Sequence, residues 1–245
     1  MLAWREIAIR YKQSLMGFFW ALLMPAMIVL AGLIVRAGVA KMTGTPIETS
    51  SLTAIMVKSL PWAFFVSAIR LSTVSLTSNS NLVTRARCPR LVFPLSSILS
   101  SLFDLAVAAV PLSIVLAVVG LPMTSHLFWI VPILFVLVVL VSGLGVALAT
   151  ANLFYRDVKY IVEIVLMFAI FFTPVLYESE MLGEWQHWIL LNPIAPLLEG
   201  LRSAVVLGRM PDLIWLSYSA VVSFGIAGGA WLLFRRLEPS FADRI

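Results

Sequence analysis

The chain has 245 residues, of which 61% are hydrophobic and 12% charged, and its net charge is +5. Soluble domains carry about 25% charged residues, so this composition excludes an ordinary soluble protein and indicates one that crosses a membrane several times. Its apolar runs are continuous, which predicts membrane-spanning helices. The single cysteine, Cys88, excludes an internal disulfide and a cysteine-based zinc cluster, and the two histidines are far apart in sequence.

Residues 1–14 predict an amphipathic helix that lies in the membrane surface. Trp4 and Tyr11 fall on one face of such a helix, while Arg5 and Lys12 fall largely on others. Tryptophan and tyrosine favour the depth of the lipid headgroups. The apolar run that follows is longer than the ~7–15 residues of a secretory signal core, so we predict that it is retained as the first span.

Six apolar runs predict six spans, since crossing a membrane takes about 20 apolar residues. In chain order they are residues 15–35, 52–76, 94–121, 127–153, 161–177 and 213–234. Two short apolar pieces within residues 181–207 are each about half that length, and we predict short helices that dip into or lie on the outer membrane face. The predicted fold is therefore an all-α membrane protein with six transmembrane helices in one domain, residues 1–245.

The basic residues outside the spans decide the predicted orientation. Eleven lysine or arginine residues lie on the side that includes the N-terminus, and four lie on the other side. Because positive loops stay in the cytoplasm, both termini are predicted to be cytoplasmic. This orientation places the charged corner between spans four and five, which contains Arg156, Asp157 and Lys159, in the cytoplasm.

Two charged residues lie within the predicted spans at matching depth. Arg70 lies ~12 Å from the inner end of span two, and Asp104 lies ~15 Å into span three, at 1.5 Å per residue. A lone charge in the membrane is unfavourable, so we predict an Arg70–Asp104 ion pair, either structural or lining a hydrated lumen.

The outer segment between spans five and six carries four acidic residues, Glu178, Glu180, Glu184 and Glu199. We interpret them as a solvent-exposed rim. The alternative is that they supply acid–base groups to a membrane-embedded transferase that acts on lipid-linked sugars.

Small residues in spans four and six predict close helix packing. Gly143 and Gly145 lie in span four, and Gly225 and Gly229 form a four-residue spacing in span six. Small residues at such spacing let two helix backbones approach each other. We interpret both sets as packing within the bundle, with a dimer seam as the alternative.

The chain shows no catalytic constellation, no metal-ligand spacing and no phosphate-binding loop of the form G-x-x-x-x-G-K-[ST]. We predict that it is not an enzyme and binds no cofactor itself. If transport is active, a partner or an ion gradient must supply the energy; an ATPase-independent channel is the alternative.

Several short motifs, in order along nearly the whole chain, carry a family resemblance. They are residues 10–17 (Arg-Tyr-Lys-Gln-Ser-Leu-Met-Gly), 60–65, 78–94, 154–160, 173–177, 192–193 and 237–239. Together they resemble the permease subunits of ABC transporters that export lipid-linked polysaccharides, namely O antigen, capsule or teichoic acid. A permease for drugs or lipids is the runner-up.

The resemblance implies an exporter of the cytoplasmic (inner) membrane, built from two copies of this permease and two copies of an ATPase that binds ATP and Mg²⁺. Its substrate would be a lipid-linked polysaccharide, with no role for nucleic acid. Residues 1–14 would be an interface helix, residues 79–90 a coupling helix that docks into the ATPase, and residues 181–207 an extracytoplasmic gate.

The resemblance also implies roles for individual residues. The ATPase-docking residues would be Arg5, Arg10, Asn81, Arg85, Arg87, Arg90, Arg156, Asp157 and Lys159. Spans one and five would line the passage. Their aromatic residues are Phe18, Phe19, Trp20, Phe168, Phe171, Phe172 and Tyr177. From the residues alone, these are either lipid-facing bulk with an interfacial belt or a lining for sugar rings.

Overall fold

The computed structural model describes residues 19–43, 49–80, 89–120 and 124–243. Within these residues the chain forms α-helices and short 3-10 helices and contains no β-strand, which confirms the predicted all-α class there. The predicted interface helix, most of the predicted coupling helix and some of the predicted site residues lie outside the described residues. These site residues are Arg5, Arg10, Phe18, Asn81, Arg85 and Arg87.

Eight α-helices occur in the described part of the chain. They are α1 Phe19–Thr43, α2 Thr49–Ser78, α3 Val92–Val118, α4 Ile130–Phe154, α5 Val158–Ala169, α6 Gln186–Leu190, α7 Ile194–Val205 and α8 Leu213–Leu237. Three 3-10 helices accompany them: Ser125–Trp129 leads into α4, Ser179–Trp185 into α6, and Glu238–Asp243 follows α8.

Within the described residues, four helical stretches are long and apolar enough to cross a membrane, so the protein is a multi-pass membrane protein. They are Ser50–Ser78, Val92–Val118, Ser125–Phe154 and Leu213–Phe241. The apolar part of α1 is shorter, Leu22–Gly38, and α5 has 12 residues. The total of six spans therefore stays a prediction.

The fifth predicted span is not one continuous helix. Helix α5 ends at Ala169, and turns occupy the chain up to Val175, whereas the helix was expected to run to Tyr177. Pro174 lacks an N–H and disfavours the helical conformation of the residue before it. The Asn192 side chain donates hydrogen bonds to the Phe172 carbonyl (3.3 Å) and the Thr173 hydroxyl (3.0 Å), which stabilises these turns.

Helix α2 is the centre of the bundle, because it packs against α1, α3, α4, α5 and α7. Of its most apolar 18-residue window, 83% is buried inside the protein. Helix α7 is also internal, since ten of its 12 residues are buried. It packs against α2, α4 and α8, so this short piece dips into the bundle instead of lying on its surface.

Glycine brings α4 and α8 close together. A Cβ added to Gly143 would lie 2.7 Å from the Ala227 backbone, and one added to Gly145 would lie 2.6 Å from the Ser72 hydroxyl. The packing predicted for span four is thus confirmed. At Gly225 and Gly229 an added Cβ would meet no described atom within 4 Å, so packing within the bundle is the wrong interpretation for these two glycines.

Candidate functional site

Six charged side chains from distant parts of the chain meet at the end of the bundle where α1 ends and α2 begins. We call them the ion-pair network: Arg36, Lys58, Glu178, Glu180, Glu199 and Arg202. They come from α1, α2, the segment after α5, and α7. Three are cationic and three anionic, so the network as a whole is balanced in charge.

Lys58 anchors the segment after α5 to the central helix. Its side chain is fully buried, and its amine donates to the Tyr177 carbonyl at 2.6 Å and to a Glu199 carboxylate oxygen at 3.2 Å. The same Glu199 oxygen accepts the backbone N–H of Ser179 at 3.3 Å. A buried ammonium is tolerated only when it is paired and hydrogen-bonded, and these contacts meet that requirement.

Arg202 gathers three carboxylates. One guanidinium nitrogen lies 3.1 Å from Glu199 and 3.3 Å from Glu180, and the other lies 3.2 Å from Glu178. The planar fork of five donors suits arginine to such multiple contacts. Because Glu199 is one helical turn before Arg202, α7 supplies both charges and ties itself to the preceding segment.

Glu178 connects this network to the first helix. One carboxylate oxygen accepts from Arg36 at 2.9 Å and from the Ser51 hydroxyl at 3.1 Å, and the other faces Arg202. Burial alone would raise the pKa of Glu178. The Arg202 guanidinium, the Ser51 hydroxyl and Arg36 outweigh burial and lower this pKa below its usual value. Glu178 therefore stays ionised at neutral pH.

The network corrects one sequence-based interpretation. Glu178 and Glu199 are 15% and 13% exposed and are ion-paired, so they do not belong to a solvent-exposed rim. Glu180 and Glu184 are exposed, as expected. A lysine within span two was a signal that a partner had to exist. Its partner Glu199 is 141 residues away in sequence. No pattern of residue spacing could have identified a partner at that distance.

Arg70 lies beside a residue of α5. Its Nε atom is 3.9 Å from a Glu163 carboxylate oxygen, and both side chains are more than half exposed. An exposed pair at this distance contributes little to stability. Asp104 is half-buried on α3, and its predicted pairing with Arg70 stays a prediction.

The basic residues at the other end of the bundle are partly engaged within the chain. Arg90 donates to the Glu238 carbonyl, and its guanidinium lies 5.7 Å from the centre of the Phe241 ring. The Lys159 amine lies 4.7 Å from the Tyr160 ring. Arg156 and Asp157 are exposed in the corner between α4 and α5. Docking of an ATPase to these residues stays a prediction.

Helix α5 has a buried apolar side, and the end of the helix and the turns after it expose three phenylalanines. Val162 and Leu166 are buried, whereas Phe168, Phe171 and Phe172 are 50%, 64% and 68% exposed. We call these three phenylalanines the aromatic face. They are large apolar side chains that are at least half exposed, which leaves them available to lipid, to a second chain or to a substrate.

The other predicted channel residues lie near or apart from this face. The half-exposed Tyr177 donates its hydroxyl to the Phe171 carbonyl at 3.0 Å, which ties it to the aromatic face. Phe19 and Trp20 belong to the first turn of α1. A channel-lining role for all of these residues stays a prediction.

Comparison with known proteins identifies the family. The model of the ABC-2 type transporter family matches residues 1–206. The O-antigen export system permease protein RfbA of Klebsiella pneumoniae is 24% identical over 243 residues, which cover 98% of this chain and 91% of that protein. The RfbA protein of Myxococcus xanthus is 27% identical over 249 residues, covering 98% and 92%. These findings confirm the resemblance, and the chain belongs to the ABC-2 type transporter family.

Proposed function

We propose that this chain is the membrane-spanning subunit of an ATP-driven exporter that moves a lipid-linked polysaccharide, such as O antigen, out of the cytoplasm across the cytoplasmic membrane. The observation that carries the proposal is the similarity, over 98% of the chain, to permeases named for O-antigen export. Both termini would lie in the cytoplasm. Two copies of this chain would work with two copies of a separate ATPase.

In this proposal, movement passes from the ATPase to the two permeases. ATP binding closes the ATPase dimer, and residues 1–14 and 79–90 transmit that movement to the membrane helices. The two permeases part along their seam, and the lipid end of the polymer passes first, followed by the sugar chain. The exposed aromatic face supports this, because flat apolar rings can pack against the C–H faces of sugars and leave the sugar hydroxyls hydrated.

Depletion of this chain from its host tests the proposed function. We expect polymer to disappear from the cell surface while lipid-linked polymer accumulates inside the cell, as measured by immunoblots of intact and lysed cells. Unchanged surface polymer would refute export. Loss of polymer synthesis itself would favour a transferase, and ion conductance of the purified chain in vesicles would favour an ATPase-independent channel.

Replacing Phe168, Phe171 and Phe172 together by alanine is expected to reduce export at least about tenfold, since stacking contacts of roughly 0.5–1.5 kcal/mol each would be lost. Because the three rings are exposed, the protein should still fold and reach the membrane. The measurement is surface polymer per molecule of membrane-inserted protein. The matched control is Phe135→Ala, which removes an exposed ring from α4; an equal loss there would refute a special role for the aromatic face.

Replacing Arg85 and Arg87 by glutamate is expected to uncouple ATP hydrolysis from export, because reversed charges repel an acidic docking surface. The measurement compares ATPase activity of the purified complex with polymer export in cells. The control variant carries lysine at both positions and retains the charge. If export in the glutamate variant is unchanged, the proposed coupling helix is wrong.

A further inference from the structure

An apolar groove lies in the same half of the bundle as the ion-pair network. It has a volume of about 550 Å³ and is bounded by α3 on one side and α4 on the other. Its floor consists of buried residues of α2, α3 and α7: Val57, Leu60, Leu105, Leu201 and Val205. We call it the α3–α4 groove.

The groove offers water too few hydrogen-bond partners to hold it. Ser113 is its single polar lining residue, and that hydroxyl already donates to the Ala109 carbonyl at 2.8 Å. A buried water needs two to four polar partners, and the Ser113 hydroxyl, which can still accept, is one partner at most. A void of this size is also strongly unfavourable, because its walls lose their van der Waals contacts. The occupant must therefore be apolar.

The position of the groove along the helices shows which apolar molecules can reach it. Besides α7, its walls belong to three of the four membrane-length helices in the described part of the chain. Val57 and Leu60 lie roughly 12–16 Å from the outer end of α2 at 1.5 Å per residue, which is well inside a membrane. Hydrocarbon chains surround the protein at this level.

The size of the groove favours one hydrocarbon chain as its occupant over a helix of another protein. An α-helix with its side chains is about 10–12 Å across, so about 550 Å³ holds little more than one turn of it. A flexible hydrocarbon chain can instead enter along its length. No described residue of α5 lines the groove, which separates it from the aromatic face and from the substrate passage proposed there.

We propose that the α3–α4 groove binds an acyl chain of a membrane phospholipid. The chain would pack on Leu201 and Val205 of α7, while Glu199 and Arg202 of the same helix hold the ion-pair network from another face. A resident lipid would in this way support the short internal helix from the membrane side. This inference does not depend on which substrate is exported.

Photolabelling of the full chain tests the proposal. The protein is reconstituted in vesicles of phosphatidylethanolamine and phosphatidylglycerol that contain a phosphatidylethanolamine with a diazirine in one acyl chain. After irradiation, mass spectrometry locates the adducts. We expect adducts on the floor residues Leu105 and Leu201, which are buried, as well as on the exposed residue Ile114. Adducts confined to exposed residues would overturn the proposal.

Variants that fill the groove complete the test. Ala109→Trp places a large ring in the lining and is expected to abolish the floor adducts while those at Ile114 remain. Ala106→Trp is the matched control, because Ala106 is exposed on the same helix and does not line the groove. If Ala109→Trp does not fold, Ala117→Phe fills the groove from its rim. Floor adducts that persist in the filled variants, or that form only with a diazirine-labelled isoprenoid phosphate, would refute a phospholipid chain.

Discussion

Replacing Arg202 with methionine is expected to lower the free energy of unfolding by about 3–5 kcal/mol, the range for breaking a buried ion pair by removing one partner. Methionine keeps much of the side-chain volume but leaves the carboxylates of Glu178, Glu180 and Glu199 with two cations instead of three. Glu178 and Glu199 are largely shielded from water, so the excess negative charge is not solvated freely. The tie between α7 and the segment after α5 should fail first.

The measurement is unfolding of the purified protein by sodium dodecyl sulfate in dodecyl maltoside micelles, followed by tryptophan fluorescence. The matched control is Arg209→Met. Arg209 is exposed just after α7, so its loss should change the free energy by no more than about 0.5 kcal/mol. Adding Glu178→Gln to Arg202→Met restores the charge balance and should recover part of the stability. Equal effects of the two methionine substitutions would show that the network does not stabilise the fold.

Replacing Gly143 with leucine is expected to cost at least about 3 kcal/mol, the upper end of the range for overpacking a core. The reason is that an added Cβ would already lie 2.7 Å from the Cα and the nitrogen of Ala227. Backbone atoms cannot rotate away as a flexible side chain does, so α4 and α8 must separate. Their contact is among the most extensive between two described helices.

The control for this substitution is Gly228→Leu on α8, where an added Cβ would meet no described atom within 4 Å. Leucine favours a helix over glycine by roughly 0.8 kcal/mol, so this variant should be as stable as the parent protein or slightly more so. The same detergent unfolding measurement applies to both. If Gly143→Leu is as stable as Gly228→Leu, the two helix backbones do not approach each other as described.

Local properties of the sequence predicted much of the architecture correctly. Continuous apolar runs predicted helices at membrane-spanning length, and α2, α3, α4 and α8 overlap the predicted spans 52–76, 94–121, 127–153 and 213–234. Two short helices were predicted between spans five and six, and α6 and α7 lie there. The role of these helices as a gate stays a prediction.

Predictions that needed a spatial partner succeeded less often. Gly143 of α4 and Gly229 of α8 were both predicted to pack closely within the bundle, yet only at Gly143 would an added Cβ meet the backbone of another described helix. Arg70 was predicted to pair with Asp104 because their depths match; the structure places Glu163 of α5 beside Arg70, and the Arg70–Asp104 pair stays a prediction. The position of a charge along a span gives its distance from the membrane surface. It does not show which neighbouring helix the charge faces.

The sequence by itself determined the membrane class, the helical fold and, through its ordered motifs, the family. These properties depend on composition and short spacings, which are local and add up along the chain. Only the tertiary structure decided that Lys58, Glu199 and Arg202 form one buried network and that α7 lies inside the bundle. Partners 141 and 142 residues apart meet because helix packing brings them together, and burial then makes each charge require the others.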